Sequence, residues 1–319
     1  MYVLTRNEID AAIKAARNLE DQPITRGHHL GPPLVTREDL SFSEVSSTFC
    51  ETGRAIYLGK VKKELALTND DLVRGGIEHA AVAISFKELK CAQQGAQTLN
   101  EAAHRLRTLV TSEDELNAAL WNENAFGNVQ KLCEQDSLPY DETVQVYLGV
   151  AREIVEYELS RFESIIPTKI TESQTIKDVE RYVDGSGVGL GRGRIDATLM
   201  LEDDTIVVCD LKKKPYKNNL DSKIQIAGYA IALEKTHKIS VSVGCLVFSQ
   251  PTMSGDVAEP YRELFSLDEA LRKEFLRRIH QAAEIISGKD LPPIMSSKWK
   301  CKKCGYYFYC HHENREVKT

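Results

Sequence analysis

RIDATLMLEDDTIVVCDLKKK, residues 194 to 214, decides the fold. RIDATLM (194–200) and TIVVCDL (205–211) are short runs rich in β-branched and apolar residues, and the acidic turn LEDD separates them. That pattern predicts a β-hairpin. Downstream, the spacing predicts a helix over about 220–235, an apolar strand in ISVSVGCLVF (239–248) and an amphipathic helix over 267–288. Strand, strand, helix, strand and helix in this order predict an α/β fold with a mixed sheet under helical cover. Upstream the chain is mostly helical, with segments around 72–92, 97–110, 113–134 and 141–163. Thr5-Arg-Asn-Glu8 is a capping-box pattern, followed by Ile9, Ile13 and Ala16 at helical spacing. The breaker-rich GHHLGPP (27–33) ends that opening helix.

Composition narrows the classes. The 319 residues suffice for two domains or one large α/β domain, and 42% hydrophobic content is that of a globular protein. No apolar run approaches the length of a membrane span. MYVLTRNEIDAAIKAARN carries charges where a signal peptide needs an apolar core, so the expected location is the cytoplasm. Eight cysteines in a reducing compartment are not a disulfide framework. Of these Cys91, Cys133, Cys209 and Cys245 read as small hydrophobes, and Cys50 has the same plain reading. A net charge of −6 argues against a coat for nucleic acid but leaves a local basic site open. GSGVGLGRG (185–193) is no phosphate loop: it has no G-x-G-x-x-G frame, no following GK[ST], and it leads into a strand. It reads as a flexible loop.

The chemistry gathers at the hairpin. Asp210 and Lys212, two apart on a strand, project to one face, and an antiparallel neighbour brings Asp196 beside them. Two adjacent carboxylates repel unless a cation lies between them. A lysine next to that cation can position water or offset charge on a phosphate. Further on, Gln225 and Tyr229 lie one turn apart on a helix face. Alone, each of these features reads as a solvated strand end or a helix surface; the ordered set is the specific signal.

KWKCKKCGYYFYC (298–310) poses a separate question, with Cys301, Cys304 and Cys310 one ligand short of a tetrahedral set. His311 is the local fourth ligand for a Cys₃His zinc site. Lys298, Lys300, Lys302 and Lys303 alternate there with Trp299, Tyr306, Tyr307, Phe308 and Tyr309. Such a stretch either touches nucleic acid or packs its rings as a shield, and shielding is the expectation for most of them.

Asp196, Asp210-x-Lys212 and Gln225-x-x-x-Tyr229, preceded by Gly75-Gly-Ile-Glu-His79, resemble the RecB-like branch of the PD-(D/E)xK nucleases. The resemblance implies a restriction-endonuclease-type core, with His79, Asp196, Asp210 and the Leu211 carbonyl holding Mn²⁺ or Mg²⁺. Lys212 would be catalytic, and Gln225 and Tyr229 would orient the site. Arg192, Arg194, Lys213 and Lys214 lie beside the hairpin as candidate DNA-phosphate contacts. The spacing C-x₂-C-x₅-C, with Cys50 the only cysteine upstream of His79, is similar to the CRISPR-associated Cas-four nucleases. Their resemblance implies a [4Fe–4S] cluster on Cys50, Cys301, Cys304 and Cys310, and the long helical segment is similar to archaeal type I-A variants.

On that reading, residues 1–40 form a helical extension, 41–80 begin the nuclease, 81–170 are a helical insertion, 171–295 complete the core and 296–319 bind the cluster. A cluster joining positions 50 and 301 closes a loop whose length-dependent entropy is on the order of 5 kcal/mol, so it is first of all a clasp. The implied activity is a metal-dependent DNA exonuclease on single strands or overhangs, trimming fragments before integration with the CRISPR integrase complex. Two other readings stand beside it: a cluster-bearing DNA-binding scaffold with weak nuclease activity, and a zinc-binding adaptor.

Overall fold

The computed structural model describes residues 4–20, 22–33, 36–47, 50–165, 173–212, 219–248, 262–296 and 298–311. Lys213 and Lys214 lie outside the described residues, as do the side chains of Lys298 and Trp299. The helices are α1 (Arg6–Glu20), α2 (Phe42–Ser46), α3 (Arg54–Tyr57), α4 (Asp70–Gln93), α5 (Leu99–Thr111), α6 (Glu113–Asn122), α7 (Gly127–Asp136) and α8 (Tyr140–Ile165). Then come strands β1 (Gln174–Val183), β2 (Gly193–Leu201) and β3 (Ile206–Lys212), helix α9 (Leu220–His237), strands β4 (Val243–Phe248) and β5 (Arg262–Ser266), and helices α10 (Glu269–Ser287), α11 (Lys298–Lys302) and α12 (Tyr307–His311).

Among the described residues one five-stranded sheet runs in the order β1-β2-β3-β4-β5. The expected hairpin is present, with Ala197 opposite Cys209 and Met200 opposite Ile206. The β3–β4 pair is parallel and joined over α9, while the other pairs are antiparallel. All six residues of β4 are buried, which suits a strand covered on both faces. Its alternate residues divide two cores. Val207, Cys209, Leu211, Val243, Cys245 and Val247 pack with α1, α4, α5 and α8. Val208, Leu246 and Phe248 pack with α2, α9 and α10.

The chain departs from its sequence reading in several places. Residues 113–134 form two helices, α6 and α7, because Asn124 takes a left-handed backbone with φ +55° between them. β1 and β5 were not expected. β4 starts at Val243, four residues after the apolar run begins. Nor is GSGVGLGRG a loose connector: Val188 and Leu190 are buried, Arg37 N donates to Gly189 O at 2.6 Å and Gly191 N to Leu40 O at 3.0 Å. A Cβ on Gly191 would lie 2.3 Å from the Glu38 carbonyl oxygen, so glycine there permits contact between two backbones.

The N-terminal extension is tied into both cores. Gln174 Oε1 accepts from Leu4 N and its Nε2 donates to Leu4 O, both at 2.8 Å. Further along, Glu234 on α9 is wholly buried between two arginines: Arg26 Nη1 is 3.1 Å from Oε1, and Arg272 Nη1 is 2.9 Å from Oε2. Gly27 N and Val241 N also donate to this carboxylate, at 2.7 and 3.0 Å. A buried charge is tolerable only when so fully paired. No helix among the described residues is long and apolar enough to cross a membrane.

Candidate functional site

α4 and the β2–β3 hairpin build the site. Asn69 caps α4 by accepting from Leu72 N, and the first turn carries Asp70 and Asp71, which favour a helix N-terminus. His79 follows on this helix. A Cβ at Gly75 or Gly76 would meet nothing within 4 Å, so packing does not demand either glycine. They leave the turn before His79 bare, although glycine within a helix costs about 1 kcal/mol.

His79 Nδ1 lies 3.1 Å from Asp196 Oδ1 across 117 residues of sequence. Asp196 Oδ2 accepts from Leu211 N at 2.6 Å. The β2–β3 register ends at Ala197 and Cys209, so the Asp196 carboxylate takes over where the backbone ladder stops. On β3, Asp210 is buried and its Oδ2 forms an ion pair with Lys212 Nζ at 2.6 Å. Gln225 Nε2 donates to Tyr229 Oη at 2.8 Å, as the one-turn spacing predicts. The Tyr229 ring packs against Phe42 at 4.9 Å and beside Gly193, where a Cβ would come within 2.7 Å of it.

A residue the motif reading missed completes the group. Glu180, on β1, offers a carboxylate oxygen that lies with donor atoms of His79 and Asp196 inside a 4.8 Å span. Asp210 is not in this converging set; it faces Lys212. Glu180 is paired with Arg194 at 2.7 Å. Its sequence context, KDVERYV, carries no metal-ligand spacing, and its approach depends on the β1–β2 register, which sets it opposite Asp196.

The electrostatics are those of crowded acids. Burial lowers His79, but Asp196 and then Asp210 and Glu180 outweigh it and raise its pKa to about 9. Burial, followed by the Asp196 charge, raises Glu180 to about 7. Burial also raises Asp210 against the opposing effect of Lys212. Asp196 stays below the ordinary carboxylate range because His79, the Leu211 amide and Lys212 together overcome its burial. Protons on His79 thus supply positive charge at the place where a cation would. One imidazole and two carboxylates fit a divalent ion better than a softer metal.

A second cluster lies at the other end of the chain. Cys50, Cys301, Cys304 and Cys310 line one small pocket with Arg54, Ile294, Met295 and Tyr307. All four are free thiols. Burial raises Cys301, Cys304 and Cys310, and Cys50 adds to each, while Arg54 opposes the shift at Cys310. His311 does not line this pocket; its ring packs tilted against Tyr307, 4.6 Å between centroids. Leu67 N donates to Gly305 O at 2.9 Å, and a Cβ on Gly305 would come within 2.8 Å of Leu67 O. Lys300 pairs with Glu51 at 2.8 Å and Lys303 with Asp71 at 3.7 Å, so both are directed at this chain. Arg192 is exposed, and Arg194 is half-exposed at the rim.

An α/β fold with a mixed nitrogen–oxygen donor set, fully buried only at Asp196, beside an ion-paired lysine defines a protein with a candidate divalent-metal centre. The family model described as CRISPR-associated exonuclease Csa1 matches residues 13–314, and the chain belongs to that family. A CRISPR-associated exonuclease Csa1 from Saccharolobus solfataricus is 24% identical over 285 residues, covering 88% of this chain and 88% of that protein.

Proposed function

We propose that this chain is a metal-dependent DNA exonuclease of the RecB-like PD-(D/E)xK type, related to the Cas-four nucleases. The observation that carries the reading is the 3.1 Å approach of His79 to Asp196, with Asp210 and Lys212 on the adjoining strand. Family membership supports the exonuclease activity, since the relative bears that name.

His79 and Asp196, with Asp210 adjoining, would hold Mn²⁺ or Mg²⁺, which would supply Lewis-acid polarisation of a phosphodiester and a more acidic water. The Leu211 amide holds Asp196 in place, and Asp210 holds Lys212. Lys212 orients the water and offsets charge on the phosphate as the new P–O bond forms and an ester P–O bond breaks. The leaving alkoxide takes up the proton lost by water. Gln225 and Tyr229 fix one wall of the site, and the exposed Arg192 and Arg194 are the proposed contacts to DNA phosphates.

The Cys50–Cys301–Cys304–Cys310 pocket is the proposed [4Fe–4S] site, supported by four thiols on one cavity and by Arg54, which offsets thiolate charge. In this reading residues 81–170, from the second half of α4 through α8, are an insertion into the nuclease. The substrate is single-stranded DNA or overhangs, and the setting is fragment trimming beside the CRISPR integrase complex.

The test is digestion of 5′- and 3′-labelled single strands by anaerobically purified protein with Mn²⁺. The protein is expected to degrade them and Asp210→Ala is not. Equal activity in the two would refute the assignment.

A further inference from the structure

We propose that Glu180 is a direct carboxylate ligand of the divalent cation, an inference that rests on reading the site as a metal centre. The β1–β2 ladder pairs Asp178 with Thr198 and Val179 with Ala197, then resumes with Arg181 and Ile195. Glu180, the residue that stands opposite Asp196, drops out. Its backbone is left-handed, with φ +52° in the interior of a strand. A long side chain adopts that conformation only at a cost, on the order of 1–3 kcal/mol, that the surrounding structure must impose.

The register has a clear geometric result: opposite Asp196 on the same face of the sheet, Glu180 has its carboxylate beside His79 and Asp196. Their donor atoms lie within 4.8 Å of one another. Around Mg²⁺ or a similar octahedral ion, adjacent ligands stand about 3 Å apart and opposed ones about 4.2 Å, so the set closes by drawing in around the ion by roughly half an ångström or more. The Glu180 side chain is only 11% exposed and faces inward, while its counter-ion Arg194 is 49% exposed. A half-exposed arginine can leave a carboxylate at little cost. Metal loading therefore releases the Arg194 guanidinium toward the rim, where a phosphate can take the place of Glu180.

Calorimetric titration of the metal-free protein with MnCl₂ tests this without any nuclease readout. Glu180→Gln is expected to weaken Mn²⁺ affinity by about tenfold or more, and Asp196→Asn to abolish binding. Arg194→Met, which removes the competing counter-ion, is expected to bind Mn²⁺ as tightly as the parent or more tightly. Thermal melts of the three variants establish that they are folded. If Glu180→Gln keeps full affinity while Asp196→Asn loses it, the ligand role is wrong and the metal centre stands. If Arg194→Met weakens binding as much as Glu180→Gln does, the pair is only a structural brace and the ligand role is again overturned. Absence of binding by the parent protein would overturn the metal-centre reading together with this one.

Discussion

Asp196 Oδ2 accepts the Leu211 amide hydrogen at 2.6 Å, at the point where the β2–β3 ladder has run out. One carboxylate therefore serves as a backbone acceptor with one oxygen and as the partner of His79 with the other.

That double duty separates two variants at this position. Asp196→Asn keeps an acceptor for the Leu211 N–H, whereas Asp196→Ala leaves a buried donor unpaired. Urea denaturation is expected to find the alanine variant less stable than the asparagine variant by about 1–3 kcal/mol. Both lack nuclease activity. Equal stability would show that water or another group satisfies Leu211.

Lys212 should matter for turnover more than for the cation. Lys212→Met removes the charge facing Asp210 while leaving His79, Asp196 and Glu180 intact. The expected loss in single-turnover rate is on the order of 10²-fold or more, with Mn²⁺ still bound in calorimetry. A variant that digests DNA at the parent rate removes Lys212 from the mechanism.

The cysteine pocket makes opposite demands on Cys50 and His311. Cys50→Ser should abolish the absorbance near 400 nm in anaerobic protein and lower the melting temperature, whereas His311→Ala should keep the colour. Metal analysis that finds zinc without sulfide, with colour absent from the parent, would favour the local zinc site.

Glu234 holds the extension through two arginines within the core of α9 and α10. Glu234→Gln leaves the Arg26 and Arg272 guanidiniums with a neutral partner, and a loss of about 3–5 kcal/mol is expected from chemical denaturation. Because Glu234 lies away from His79, folded Glu234→Gln protein should still bind Mn²⁺. A loss below about 1 kcal/mol would mean that the network is no stronger than a surface pair.

The hairpin, α9 and the long helices were legible because burial writes itself as periodicity. TIVVCDL alternates toward two cores, RIDATLM buries Ile195, Ala197 and Leu199 at every second position, and Ile224 to Leu233 is apolar almost all round because α9 lies between the sheet and α10. β1 was not legible for the opposite reason. Lys177, Asp178, Glu180 and Arg181 mask its alternation, and their charges are absorbed by contacts made only after folding, such as Lys90 with Asp178 and Arg194 with Glu180. The site followed the same rule. His79, Asp196, Asp210 and Lys212 stood in a known order, but Glu180 joins them through the pairing of β1, a strand whose charged residues hide it in the sequence. Residues 1–40 looked detached because the Glu234 network joins Arg26 to partners more than 200 residues away.

The shared wall of Cys50, Cys301, Cys304 and Cys310 also fixes a timetable for biosynthesis. A ribosome adding 5–20 residues per second needs roughly 12–50 s to travel from the first of these thiols to the second. By the end of that interval strands β1 to β5 have all been made, but Cys50 has had none of its three pocket partners. Closure of this thiol pocket is therefore a late event that waits for the arrival of residues 301–310.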